Sequence, residues 1–253
     1  MKLDVAFTPH GLAANEVQGR AVFVIDTLRA TSTICSALAA GARAVIPAAS
    51  TEDAIRIAQN LENADVLLAG ERNTVRIEGF ALGNSPREMT SDLVAGKTLV
   101  MSTTNGTGAL LATQGASVVF IASPLNLETA AHRARDLIVE TRSLLILCAG
   151  RESAFALEDA YTAGRLLFEA LGRRWIRRGL NDAAQVSLDL VRRYGHGWKR
   201  PLERSRAGRD LKRNGLGDDL VAVAAESTLS VLPQFVERRV ILPVAPVGVM
   251  AAG

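Results

Sequence analysis

The chain has 253 residues, 48% hydrophobic and 22% charged, which excludes a disordered polymer and leaves room for one large domain or two modest lobes. No apolar run reaches the roughly 18 to 20 residues of a bilayer-spanning helix, and the start MKLDVAFTPHG lacks the apolar core of a signal peptide, so a cytoplasmic protein with no membrane partner is expected. The net charge of +3 is unevenly placed: residues 165–213 hold 14 Lys/Arg against 5 Asp/Glu, leaving 15 basic and 21 acidic residues elsewhere.

In chain order, runs rich in Val, Ile and Leu at residues 3–7, 21–26, 44–48, 65–69, 97–102, 117–122 and 144–148 are apolar throughout, which predicts strands covered on both faces. Ala- and Leu-rich stretches of helical length, such as 30–40, 51–60 and 127–140, lie between them. The alternation predicts an α/β architecture: a mixed, partly parallel sheet with flanking helices. After Cys148 helical patterns dominate, at 157–171, 182–194 and 218–231, and a last apolar run covers 240–244. A soft boundary near Gly150 therefore separates an α/β lobe, residues 1–150, from a helix-rich part, residues 151–253, that completes the site or continues the same domain. Cys35 and Cys148 are too few for a disulfide scaffold and sit in apolar surroundings suited to buried thiols.

In open α/β sheets, ligands collect where strands end and helices begin. Four such exits carry polar clusters. Asp26-Thr27-Leu28-Arg29 closes the second apolar run and leads through Ala30 into Thr31, Ser32 and Thr33. Asp26 suits a divalent cation or a nucleophile and Arg29 a bidentate clamp on phosphate or sulfonate; helix capping explains Thr27 or Ser32 but not the arginine. Gly70-Glu71-Arg72, followed by Gly83-Asn84-Ser85-Pro86, offers Glu71 as a second oxygen ligand and a turn into a helix with Pro at its first position. Ser102-Thr103-Thr104-Asn105-Gly106-Thr107-Gly108 can wrap an oxyanion with main-chain N–H groups. Gly150-Arg151-Glu152 leads to Glu158-Asp159 at a helix start. Adjacent helical positions lie about 100° apart, so one of these two acids is expected to face Asp26 as a metal ligand and the other to cap or pair.

Several templates fail on spacing. No Gly-Lys-Ser/Thr follows as a P-loop requires, and Leu111 stands where a dinucleotide fingerprint needs its third glycine. Ala154 stands six residues after Cys148, where a cysteine phosphatase needs arginine, and Leu28 stands two residues after Asp26, where haloacid-dehalogenase-type enzymes repeat an acid. No Gly-x-Ser-x-Gly elbow exists; of the three histidines, only His10 is placed near a strand end that could approach the site.

The four clusters in this order, with Cys148-Ala149-Gly150, Leu157-Glu158-Asp159-Ala160 and a fifth stretch from Ser205-Arg206-Ala207-Gly208-Arg209-Asp210-Leu211 to Gly215 and Asp219, resemble the 2-phosphosulfolactate phosphatase family over nearly the whole chain. The resemblance implies an α/β phosphomonoester hydrolase, homo-oligomeric with a dimer favoured. It implies use of Mg2+ to convert 2-phospho-3-sulfolactate and water to 3-sulfolactate and phosphate, a step in coenzyme M biosynthesis. On that expectation Asp26, Arg29, Glu158 and Asp159 are catalytic, and Asp26, Glu71 and Glu158 hold Mg2+. Thr31, Ser32, Arg72, Asn84, Ser85, Thr103, Thr104, Asn105, Gly106, Thr107 and Ser205 bind the small anionic phosphoester. Within residues 205–213, the basic stretch is expected to meet a sulfonate or carboxylate. Direct attack by water competes with a phospho-Asp26 intermediate. Two other functions compete. One is a non-catalytic binder of small sulfonate or phosphate anions. The other, a nucleic-acid module using residues 165–213, is opposed by the lack of an aromatic stacking platform, so no nucleic-acid partner is expected.

Overall fold

The computed structural model describes residues 1–61, 65–172 and 179–243. The first part of the chain forms β1 (Lys2–Ala6), α1 (Ala14–Val17), β2 (Ala21–Ile25), α2 (Ala30–Ala39), β3 (Ala44–Pro47), α3 (Thr51–Asn60), β4 (Val66–Arg72), β5 (Val75–Arg76), α4 (Ser91–Val94), β6 (Thr98–Ser102) and α5 (Gly106–Leu111). There follow β7 (Val118–Ala122), α6 (Leu127–Thr141), β8 (Ser143–Cys148), α7 (Leu157–Leu171), α8 (Asp182–Tyr194), α9 (Lys199–Arg204), α10 (Arg206–Arg213), α11 (Asp218–Val223), β9 (Gln234–Val236) and β10 (Arg239–Ile241). This is the expected α/β class, and all seven anticipated strands of the first 150 residues form.

The strands make one sheet in the order β1-β8-β2-β7-β9-β10-β3-β6-β4-β5. Two parallel blocks, β1-β8-β2-β7 and β3-β6-β4, flank the antiparallel β9–β10 hairpin. Phe120 pairs with Gln234 at one seam and Val45 with Val240 at the other. Every strand-to-strand step from β7 through the hairpin to β3 is antiparallel, so the two blocks run in opposite directions. The final apolar run thus rejoins the main sheet through Val240, while Val244 lies outside the described residues.

Strand β2 shows why no alternation is visible in its sequence. Ala21, Phe23 and Ile25 enter a core with α6, α7 and α8, whereas Val22 and Val24 enter a second core with Ala30, Ile34, Ala37 and Leu38 of α2 and Ala109 and Leu110 of α5. All five β2 side chains are buried, as expected for a strand covered on both faces. The second core also takes Val45, Ala69, Leu99 and Met101 from the other parallel block. Helix α2 is therefore common ground for both blocks, and the residues following β2, β4 and β6 are drawn toward it.

Three departures stand out. The helix expected at 218–231 ends at Val223; Ser227 has φ +56° and the N–H groups of Ser227 and Leu229 donate to Pro124 and Leu125, so pairing with the neighbouring turn replaces further helix. The turn at Ser85-Pro86 opens a three-residue 3₁₀ helix, Pro86–Glu88, and no longer helix. The basic segment 165–213, whose charge alone favours solvent, has a buried member: Arg165 is 1% exposed, bonded to both Glu226 oxygens at 2.9 and 3.0 Å and set over the Trp198 ring, while residues 173–178 lie outside the described residues. Both cysteines are buried and free, and burial pushes the Cys35 thiol up to about 12. Among the described residues no helix is long and apolar enough to cross a membrane.

Candidate active site

Asp26 is the first residue after β2 that can carry charge, and it stands where the strand leaves the core. The turn below it is knit by hydroxyls. Thr31 Oγ1 donates to the Asp26 carbonyl at 2.9 Å and accepts the Asp26 N–H at 3.1 Å, and Ser32 Oγ donates to the Thr27 carbonyl at 3.0 Å. These two residues shape the loop from beneath and do not border the cleft. Asp26 Oδ1 accepts the Ala30 N–H at 3.3 Å, while Oδ2 faces Gly106, where a Cβ would lie 2.8 Å from it and 2.5 Å from Ala30 Cβ. Position 106 therefore has to be glycine for Asp26 to sit where it does.

Three other carboxylates surround it. Asp159 accepts the N–H of Thr27 at 2.8 Å and of Gly150 at 3.1 Å, tying the ends of β2 and β8 together. Gly150 has φ +65°, and a Cβ there would meet the Ala154 carbonyl at 2.4 Å. Glu71 accepts the Thr104 N–H through Oε1 and the Thr74 N–H through Oε2, both at 2.8 Å. Glu158 and Asp159 both border the cleft, and of the two it is Asp159 whose oxygens are taken by main-chain N–H groups. Burial pushes the Asp26 carboxyl up to about 7; Glu71 and Glu158 add to the rise, against the Ala30 N–H and Arg29. Burial likewise raises Glu158, and it raises Asp159 well above the ordinary range with help from Asp26 and Glu158.

The cleft has two arginines, and each is held by an aspartate from the C-terminal helices. Arg29 donates to Asp219 Oδ2 at 2.7 Å and to the Thr74 carbonyl at 2.8 Å; Ser85 Oγ donates to Asp219 Oδ1 at 2.6 Å. Arg151 pairs with Asp210 at 2.5 Å. Other anticipated residues serve the frame. Arg72 donates to Ser102 Oγ and the Glu71 carbonyl, both at 2.8 Å, Thr103 and Thr107 bond one another, and Ser205 caps α10 through the Gly208 N–H at 2.9 Å. Within residues 205–213, Arg206 pairs with Glu152, Arg209 donates to the Arg204 carbonyl, and Arg213 pairs with Asp210. His10 is exposed and does not border the cleft.

Of the anticipated residues, Asp26, Arg29, Glu71, Asn84, Thr104, Asn105, Glu158 and Asp159 line a single cleft of about 580 Å³, counting its open mouth. Thr31, Ser32, Arg72, Ser85, Thr103, Gly106, Thr107 and Ser205 lie behind or beside it. Arg151, Glu152, Asn73 and Thr74 also line it; Arg151 and Glu152 stand at the fourth strand exit, a position that by itself assigns them no role. The lining holds five carboxylates against two arginines, both arginines already ion-paired. Asn84 Oδ1 is buried there without a hydrogen-bond partner. Such a set of hard oxygen donors suits a small divalent cation. Among the described residues no group of three or more His, Cys, Asp or Glu side chains is arranged as a ready-made metal site.

A family model described as 2-phosphosulpholactate phosphatase matches residues 6–238. A protein of Symbiobacterium thermophilum named probable 2-phosphosulfolactate phosphatase is 41% identical over 230 residues, covering 90% of this chain and 97% of its own. Proteins of the same name from Gloeobacter violaceus and Clostridium novyi are 40% and 30% identical, covering 83% and 93% of this chain and 86% and 97% of their own. The matched region contains all five sequence clusters and every residue of the cleft, and the chain belongs to the 2-phosphosulpholactate phosphatase family.

Proposed function

We propose that this chain is a Mg2+-dependent phosphomonoester hydrolase that converts 2-phospho-3-sulfolactate and water to 3-sulfolactate and phosphate. The observation that carries the reading is the charge of the cleft: five carboxylates and two arginines already neutralised by Asp219 and Asp210. A substrate with phosphate, sulfonate and carboxylate groups is repelled by such a surface unless a cation is added. Asp26 and Glu158 are the carboxylates best placed to hold Mg2+. Asp159 and Glu71 each use both oxygens on main-chain N–H groups, so Glu71 keeps only its remaining lone pairs as a third ligand. Bound there, Mg2+ would neutralise the phosphoryl oxygens.

The protein groups do the rest. Arg29 presents a fixed guanidinium to the phosphoryl oxygens. Thr104 and Asn105 offer the wall against which the ester lies. Water attacks phosphorus in line with the ester oxygen, the bond between phosphorus and the carbon-2 oxygen breaks, and the carboxylate of Asp26 relays the proton that the water loses to that leaving oxygen. Arg151 at the cleft margin is the cation nearest to hand for the sulfonate or carboxylate.

Phosphate release from 2-phosphosulfolactate by protein stripped with EDTA, then resupplied with Mg2+, tests the reading. Hydrolysis restored by Mg2+ and faster than that of simple alkyl phosphates is expected; none with Mg2+ present would overturn it.

A further inference from the structure

Asp219 comes from α11, 190 residues after Arg29, and its geometry is unusual for a residue that does not border the cleft. Both carboxylate oxygens are engaged: Oδ2 receives Arg29 at 2.7 Å and Oδ1 receives Ser85 Oγ at 2.6 Å. The Asp219 side chain is 1% exposed and that of Arg29 3%. Asp219 is buried and does not line the cleft, so it acts on a substrate only through Arg29. The guanidinium it grips lines the cleft, and the Thr74 carbonyl, accepting at 2.8 Å, fixes a second nitrogen of the same plane. A buried ion pair is weak evidence for stability, since an apolar pair of similar volume does as well or better. The pair is better explained by what it does to Arg29.

We propose that Asp219 is the positioning residue of Arg29. With two nitrogens fixed by Asp219 and Thr74, the guanidinium is held in one plane and its remaining N–H groups are presented to the phosphoryl oxygens, so that little reorganisation is needed in the transition state. Asp219 also favours anion release, because its negative charge tempers the attraction of Arg29 for the phosphate product. Ser85 completes the device by holding the carboxylate from the other side. The inference rests on the hydrolase reading for its kinetic part and on the anion site alone for its binding part.

The experiment compares Asp219→Ala with Asp219→Asn, each alone and in an Arg29→Gln background, reading kcat and KM for 2-phosphosulfolactate and the Kd of inorganic phosphate at low salt. Asn is isosteric: its oxygen can still accept from Arg29 while its amide donates to Ser85. Asp219→Asn is therefore expected to fold, to keep kcat within about fivefold, and to bind phosphate at least about threefold more tightly because a negative charge has left. Asp219→Ala frees the guanidinium and is expected to lose kcat by about 30-fold or more, and this gap between Ala and Asn should shrink below about twofold in the Arg29→Gln background. A kcat for Asp219→Ala within twofold of the parent, or an Ala–Asn gap that persists without Arg29, overturns the proposal. Should Asp219→Ala not fold, Asp219→Asn decides alone, and unchanged phosphate affinity overturns it. A parent protein that releases no phosphate from the ester refutes the hydrolase reading instead, and the phosphate affinities still judge Asp219.

Discussion

Glu71, the next-to-last residue of β4, accepts the main-chain N–H of Thr104 at 2.8 Å across 33 residues of sequence, so the end of one strand is fastened to the loop that follows its neighbour. Its other oxygen holds Thr74 at the same distance. Gln at position 71 has one acceptor oxygen, so one of the two amides is left facing an NH2 group. Glu71→Gln is expected to lower stability by about 1–3 kcal/mol, read by urea denaturation in EDTA, and to weaken the response to Mg2+. A variant as stable as the parent would remove Glu71 from the loop-fastening role.

Asp26→Asn separates chemistry from folding. Asn keeps an acceptor for the Ala30 N–H and removes a buried charge, so metal-free protein should become more stable at pH 8, by up to about 4 kcal/mol for the roughly three-unit rise of the carboxyl. Activity with Mg2+ should fall by at least about 10²-fold. Loss of stability together with activity would show that Asp26 is chiefly a structural acceptor.

The pH dependence of stability follows with a definite sign. Asp26 titrates near 7 when folded against 3.8 as its ordinary value, and Glu158 and Asp159 are raised in the same direction. Above pH 7 Asp26 is charged in both states and the cost of burying its charge is fully present. Between about 7 and 4 the folded state binds protons that the unfolded state does not, so stability in EDTA should rise as pH falls through this window. Saturating Mg2+ should flatten or reverse the trend, because the ion favours the charged carboxylates. A stability that drops steadily from pH 8 to 5 in EDTA contradicts the electrostatics of the cleft.

The stereochemical course at phosphorus distinguishes attack by water from a phospho-Asp26 intermediate. A phosphoryl group made chiral with oxygen isotopes should be inverted by a single in-line attack of water. Net retention would mean two displacements, with the phosphoryl group carried by Asp26 between them.

Gly106→Ala places a methyl group 2.5 Å from Ala30 Cβ and 2.8 Å from Asp26 Oδ2. Overpacking at such a spot costs about 1–3 kcal/mol, and the displaced carboxylate should lower kcat by about tenfold or more. Unchanged kcat would show that the loop yields freely and that Asp26 does not depend on it.

Much of this was legible in the residues. Strand exits announce themselves because an apolar run stops at a charge, as at Ile25-Asp26, or at a glycine followed by one, as at Gly150-Arg151. Glycines at 106 and 150 mark places where backbone comes close to something else. What could not be read is the difference between a hydroxyl that faces a ligand and one that knits a turn. Thr31, Ser32, Thr103 and Thr107 look alike in sequence to Thr104, yet only Thr104 lines the cleft. Partners distant along the chain were equally hidden: nothing near Arg29 announces Asp219, and nothing near Arg151 announces Asp210. The short hairpin strands Gln234–Val236 and Arg239–Ile241 carry too few residues for a periodicity to show.

That hairpin has a consequence for how the protein is made. During synthesis β7 and β3 each emerge with an unpaired edge, and the segment that seats between them leaves the ribosome only after both. Until it arrives, two half-sheets wait with exposed N–H and C=O groups, the kind of edge that pairs with other chains. A chain that stops before Gln234 retains every cleft carboxylate and both cleft arginines. It is nevertheless expected to aggregate before it can assemble them.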